Sequence, residues 1–328
     1  MAASDPERTL IIPYLREWLA SPKLTLPWLN THGRLVVDAS CFESVSDRET
    51  TRADTMGVRD VRTCDSELFG KIPAPNTFDD ILRLASQRNA HSRSVRIWRG
   101  QADIAWPIHS TGYRRLAISW RVSGGAEPIE SDMCSYESSL LKMAEHRGYR
   151  QYEGRALSDF QVLARLRHHG AATRLVDATR NVLVALWFCA ASEPQKSGLL
   201  LGVHTDCVGG YEGGLHMSED DTYDNVVNGI SGRDYPMTWE PPSITPRVAA
   251  QHSQFLYSAI TSAKSGSLSL PWSEDDVLAM SIAPDLKIKC LEILSSHFDI
   301  TRTTLFPDLE GFGAANGCLI DTSANMRW

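Results

Sequence analysis

Ten consecutive apolar residues, Val182 to Ala191, limit how this chain can fold more than any other segment. As a helix the segment would be apolar on every side, so it must lie inside the protein, and it is far shorter than the roughly 20 residues a membrane-spanning helix needs. The residues just before it are polar: Arg167-His-His-Gly-Ala-Ala-Thr-Arg-Leu-Val-Asp-Ala-Thr-Arg-Asn181. A polar strip running into a buried helix reads as a site held on a rigid support.

The charge pattern points to anions. The net charge of −7 argues against a surface that coats nucleic acid everywhere, yet the arginines are unevenly spread. From Arg93 to Arg121 there are six against Asp103 alone, and from Arg147 to Arg180 seven against Glu153, Asp159 and Asp177. Guanidinium offers a planar fork that matches phosphate oxygens. A chain-wide preference for arginine, 26 against 7 lysines, is the competing explanation.

A length of 328 residues with 42% apolar content suits one large or two ordinary soluble domains. The mixed-charge start, with no long apolar run after it, predicts neither signal peptide nor membrane anchor. The seven cysteines include no CxxC pair, which predicts a reduced, cytoplasmic protein without structural zinc.

Along the chain, residues 7–19 and 34–38 read as a helix and a strand, and 44–65 as a poorly packed charged stretch. Pro73-Ala-Pro75 breaks the chain before a helix capped by Thr77. Ser94 to Trp98 alternates as a half-buried strand. Helices are predicted over 136–146 and 158–169, the second capped by Ser158 and stopped by Gly170. Strands are predicted over 198–204, across 246–251 and 254–257, and over 279–286, with a helix over 288–297 and a surface excursion at 209–234. Mixed order without βαβ regularity predicts an α+β fold.

No GxxxxGK[ST], GxGxxG or HExxH occurs, so P-loop hydrolysis, Rossmann hydride transfer and zincin chemistry lack support. His168 and His169 are adjacent and would point about 100° apart on a helix, with no ligand at metal-binding spacing, so no metal site is expected.

Four pieces in order carry a resemblance. They are Trp98-Arg-Gly-Gln101 with Trp106-Pro-Ile-His-Ser110 and Tyr113-Arg-Arg115; Arg167 to Asp177 with Asn181 to Phe188; Pro246-Arg247 through Gln251 with Phe255; and Thr303 to Gly311. Together they resemble the FRG domain family, named for an aromatic-Arg-Gly motif. The resemblance covers about residues 76–315, leaving 1–75 as an extension and 316–328 as a tail. Members usually carry Gln-His-Tyr-Gly and Asp-Trp-Thr where this chain has Arg167-His-His-Gly170 and Asp177-Ala-Thr179.

The resemblance implies a toxin or phage-defence setting and a distant relation to ADP-ribosyltransferases, hence a split β-sheet core with surrounding helices. It also implies NAD as a substrate, a nucleic-acid base or protein as acceptor, and an antitoxin or immunity protein as partner. Arg99 would be the first-strand residue and Thr173 would belong to the second element, while Gln251 stands where a glutamate is common.

Breaking the nicotinamide–ribose bond passes through a cation-like transition state. The chemistry calls for a diphosphate clamp and a carboxylate near the ribose. Arg99 and Arg174 are candidates for the clamp, Gly100 for close backbone approach, and Gln101 for hydrogen bonding. Trp98, His169 and Thr173 complete the binding candidates, and Asp177, Gln251 and Glu310 join Arg99 as catalytic ones. Each has a structural alternative: an ion pair for Arg99, helix capping for Asp177, Thr173 and Glu310, a helix-end residue for His169. NAD hydrolysis, and nucleotide or nucleic-acid binding without turnover, remain open beside transfer.

Overall fold

The computed structural model describes residues 61–87, 96–210, 222–242, 245–271 and 276–317. The expected helix over 7–19 and strand over 34–38 lie outside these residues. The compact unit that contains the described residues starts at Val61, because the hairpin of β1 (Thr63–Ser66) and β2 (Gly70–Pro73) puts Phe69 and Ile72 into the same core as Val277 and Ala279.

Six strands form the main antiparallel sheet: β3 (Arg96–Gln101), β6 (Val176–Thr179), β7 (Gly198–His204), β8 (Met237–Trp239), β9 (Ser253–Tyr257) and β10 (Val277–Ile282). Their order is β10-β7-β3-β6-β9-β8. A two-residue hairpin, β4 (Gln151–Tyr152) and β5 (Arg155–Ala156), stands apart. The fold is α+β, as the order of predicted elements implies.

The sheet is split in the middle. β3 pairs with β7 at six positions and β6 with β9 at four, but β3 meets β6 only at Trp98↔Thr179. Two three-stranded halves therefore diverge from one contact, and each half has its own helical cover.

Over β10-β7-β3 lie α1 (Phe78–Ser86), α5 (Val182–Ala190) and α8 (Pro284–Phe298), sharing a core with Trp98, Leu200 and Met280. The decapeptide is thus the buried helix its composition demands, capped by the Asn181 side chain, which accepts from the Leu183 amide at 2.9 Å. α3 (Glu130–His146), α4 (Asp159–His168) and α6 (Tyr223–Ile230) pack on β8 and β9 through Phe160, Trp239 and Phe255. α2 (Thr111–Ser123) precedes α3, and α7 (Pro246–Ala250), α9 (Arg302–Leu305) and α10 (Leu309–Ala315) are short. No helix among the described residues is long and apolar enough to cross a membrane.

Several elements differ from the sequence reading. Residues 246–250 are helical because Thr245 caps the Val248 amide and Pro246 occupies the first turn, where its missing N–H costs nothing; the strand begins at Ser253. Likewise β10 stops at Ile282 because Pro284 opens α8. α3 starts at Glu130, and the region read as a surface excursion contains α6, whose apolar residues Tyr223, Val226 and Ile230 are buried. Thr77, Ser158 and Gly170 act as expected, the first two as N-caps and Gly170, at φ 84°, turning the chain off α4.

Candidate functional site in the split of the sheet

Where β3 and β6 part, a cleft of about 350 Å³ opens between the two halves of the sheet. This falls near the lower end of small-molecule sites. β3 contributes Trp98, Arg99 and Gly100, and β6 contributes Asp177, Ala178 and Thr179. Arg167, His168 and Gly170 reach it from the end of α4, Arg247 and Gln251 from α7, Phe188 from α5 and Phe306 from beyond α9.

Arg99 spans the gap that the missing strand pairing leaves. Its Nη1 donates to the Asp177 carbonyl at 2.6 Å and its Nε to Gln101 Oε1 at 3.3 Å. Gln101 is in turn held by donating to the Trp106 carbonyl at 3.0 Å. Burial lowers the Arg99 pKa to about 10, against the opposing pull of Asp177 and with Arg167 and Arg114 adding to the drop. Arg99 therefore stays cationic at neutral pH.

Arg167 Nη2 pairs with Asp177 Oδ2. Arg247 is satisfied separately: its Nε and Nη2 grip Asp308 at 2.7 Å each, and its Nη1 donates to the His168 carbonyl at 3.2 Å. Its guanidinium also lies 5.0 Å from the centre of the Phe306 ring, which meets Phe188 edge-on at 6.0 Å. The cleft thus has an aromatic wall beside a cationic floor. Asp177 is the only carboxylate lining it among the described residues.

Of the residues singled out in the sequence, Trp98, Arg99, Gly100, Asp177 and Gln251 are brought together here. Gln251 also braces the wall, donating from Nε2 to the Leu305 carbonyl at 3.0 Å, while its own carbonyl accepts from Thr179 Oγ1 at 2.7 Å. Gly100 has a packing reason to be glycine: a Cβ there would stand 1.9 Å from the Ala185 carbonyl oxygen of α5. Trp98 is mostly core.

The others stand elsewhere. Arg174 is 3% exposed and belongs to a buried network: its Nε donates to Glu137 at 2.6 Å, its Nη1 to Glu130 at 2.8 Å and its Nη2 to the Tyr223 hydroxyl at 2.6 Å. Desolvation works against its charge, but Glu137, Tyr223 and Glu130 more than offset it and raise the pKa well above the usual value. A guanidinium so committed cannot clamp a ligand. Thr173 is fully buried, its amide accepted by Thr111 Oγ1 at 3.1 Å. Gln101 is buried behind Arg99. His169 and Glu310 pair at 3.0 Å outside the cleft lining, both more than half exposed.

Arg167, Arg247, Phe188 and Phe306 are cleft residues that sequence reasoning did not single out. Arg167 had a usable signal, lying in the same polar strip as Asp177. Arg247 had only its place in the Pro246-Arg247 piece of the resemblance, and a predicted strand over 246–251 aims its side chain differently from the helix that forms.

Among the described residues, no group of three or more His, Cys, Asp and Glu side chains could hold a metal ion. The FRG domain family model matches residues 94–198, from just before β3 to the first residue of β7, so the chain carries an FRG domain that supplies both strands at the split and the helix behind them. No curated protein and no solved structure matches the chain.

Proposed function

Taking the FRG domain over residues 94–198 as the starting point, we propose that the cleft binds NAD and transfers its ADP-ribose to a macromolecule, a nucleic-acid base or a protein. One observation carries this reading. Among the described residues Asp177 is the one carboxylate lining the cleft, it pairs with Arg167, and Arg99 reaches only its backbone, so the cleft floor holds an excess of positive charge that an anion would neutralise. A diphosphate between the two guanidinium groups does so, with bidentate geometry.

The roles then follow from position. Phe188 and Phe306 offer a face or edge to a nicotinamide or adenine ring. Asp177 lies where a negative charge stabilises the cation developing at the ribose C1′. The C1′–N bond breaks with its electron pair leaving on nicotinamide, which becomes neutral; the acceptor bonds to C1′ and loses a proton. In this scheme Arg167 takes the clamp role that the buried Arg174 cannot fill. The setting would be a cytoplasmic toxin or phage-defence effector, with an antitoxin or immunity protein as a further partner.

One observation favours a second reading, ligand binding without turnover: Asp177 Oδ2 is already engaged by Arg167. Labelled NAD separates the two. The protein is incubated with and without DNA, RNA or lysate protein, and nicotinamide release and label transfer are followed. Release with transfer supports the transferase, release without transfer indicates a hydrolase, and NAD binding with no release in any condition removes both enzymatic readings.

A further inference from the structure

α2 carries two neighbouring stripes that the cleft chemistry leaves unused. Residues seven apart on a helix fall nearly in line, two turns and about 10.5 Å along the axis. Arg114 and Arg121 form one such pair, and Tyr113 and Trp120 form the other, about 100° around the helix. A row of guanidinium groups therefore runs beside a row of aromatic rings.

Both rows are built and placed. The start of α2 is pinned beneath the polar strip: the Gly112 amide donates to the Thr173 carbonyl at 2.8 Å and Thr111 Oγ1 to the same oxygen at 3.2 Å. This holds Arg114 within electrostatic reach of Arg99, Arg167 and Asp177. Arg114 is exposed, and its guanidinium makes no hydrogen bond or ion pair among the described residues. The His109 ring stacks on Tyr113 at 4.5 Å and 22°, held by the Ser267 amide donating to His109 Nδ1 at 3.0 Å. Trp120 is 37% exposed and lies against Gly125, and Trp106 is 45% exposed. Arg121 keeps one partner, Glu127 at 3.6 Å, with both side chains largely in water, where such a pair holds weakly.

We infer that α2 is the docking track for a single-stranded nucleic acid, which is the ADP-ribose acceptor: Arg114 and Arg121 grip successive parts of its phosphate backbone, and Trp120 and the His109–Tyr113 stack hold its bases. Phosphate contacts beside sequence-tolerant stacking are how proteins hold single strands. An acidic peptide would be met by the arginines but leaves the aromatic row without a role. Arg114 is at the end of the track that is pinned to the Thr173 carbonyl and that feels Arg167 and Asp177, so a base held beyond it would reach the ribose C1′, take C1′ as nicotinamide leaves, and release a proton. This deepens the NAD reading and rests on it for the transfer step only.

The test is fluorescence anisotropy of labelled single-stranded DNA and RNA oligonucleotides and a labelled duplex, titrated with the full chain over a range of salt. Single strands are expected to bind more tightly than duplex, with affinity falling as salt rises. The double substitution Arg114→Ala/Arg121→Ala is expected to weaken binding at low salt at least about tenfold and to flatten the log–log salt slope by about 1.4, two single-strand phosphate contacts. Trp120→Ala is expected to weaken binding with the slope unchanged. The inference is overturned if no single strand binds, if duplex binds equally well, if the variants bind as the parent does, or if labelled NAD marks only protein or acidic peptide. NAD binding by the parent protein alone, read by isothermal titration calorimetry, decides the NAD reading separately.

Discussion

Arg99 reaches across the split sheet to the backbone of Asp177, donating to its carbonyl at 2.6 Å one residue beyond the only position where β3 and β6 pair. A side chain from one strand thus supplies a hydrogen bond that backbone pairing no longer provides, and its charge is left facing the cleft. This link makes Arg99 both a brace and the proposed anion grip, and the two roles separate by measurement.

Arg99→Ala is expected to lower nicotinamide release at subsaturating NAD on the order of 100-fold, the effect of losing one charged hydrogen-bonding grip on the diphosphate. The stability cost should be modest, about 2 kcal/mol for two net hydrogen bonds. Chromatographic nicotinamide assays beside urea denaturation check both. Release at the parent rate would rule out the proposed role of Arg99.

Gly100→Ala tests packing. The new Cβ would meet the Ala185 carbonyl at 1.9 Å, so α5 must move off β3. Overpacking of this kind costs about 1–3 kcal/mol. A lowered denaturation midpoint with no ligand present is the expected result, and parent-like stability would show that α5 has room to yield.

Glu137→Ala leaves the Arg174 guanidinium buried without its main counter-charge. Breaking a buried pair in this way costs roughly 3–5 kcal/mol. Adding Arg174→Met removes the stranded charge, so the double variant should be more stable than Glu137→Ala alone. Equal stability of the two would mean that Arg174 is not what suffers.

His168 predicts a pH effect. Burial holds its pKa below the usual 6.5; Asp177 opposes the shift, and Arg247, Arg167 and His169 add to it. The unfolded chain takes up this proton at a higher pH than the folded one. The stability concerned is therefore fully present above 6.5 and is lost as pH falls below it toward the folded value. His168→Gln should flatten the stability profile between about pH 7 and 5, measured by thermal melts across that range.

Local features of the chain were legible without the fold. The apolar run at 182–191 could only be a buried helix, Ser158 and Gly170 bounded α4, and the aromatic-Arg-Gly motif marked β3. Each depends on residues close in sequence, where periodicity and capping act. Arg99 and Asp177 were legible as separate candidate residues for the same reason, each lying in a short distinctive motif.

Tertiary structure decided which arginine serves the cleft. Arg167 and Arg174 are equally polar in the sequence and stand seven residues apart, yet Arg167 opens onto the cleft while Arg174 faces Glu137 and Tyr223, partners 37 and 49 residues away. Nothing local distinguishes them. The turn at Gly170 and the burial of α3 and α6 against β9 choose between them, because an arginine takes whatever carboxylates the packing brings near, and only the folded chain says which those are.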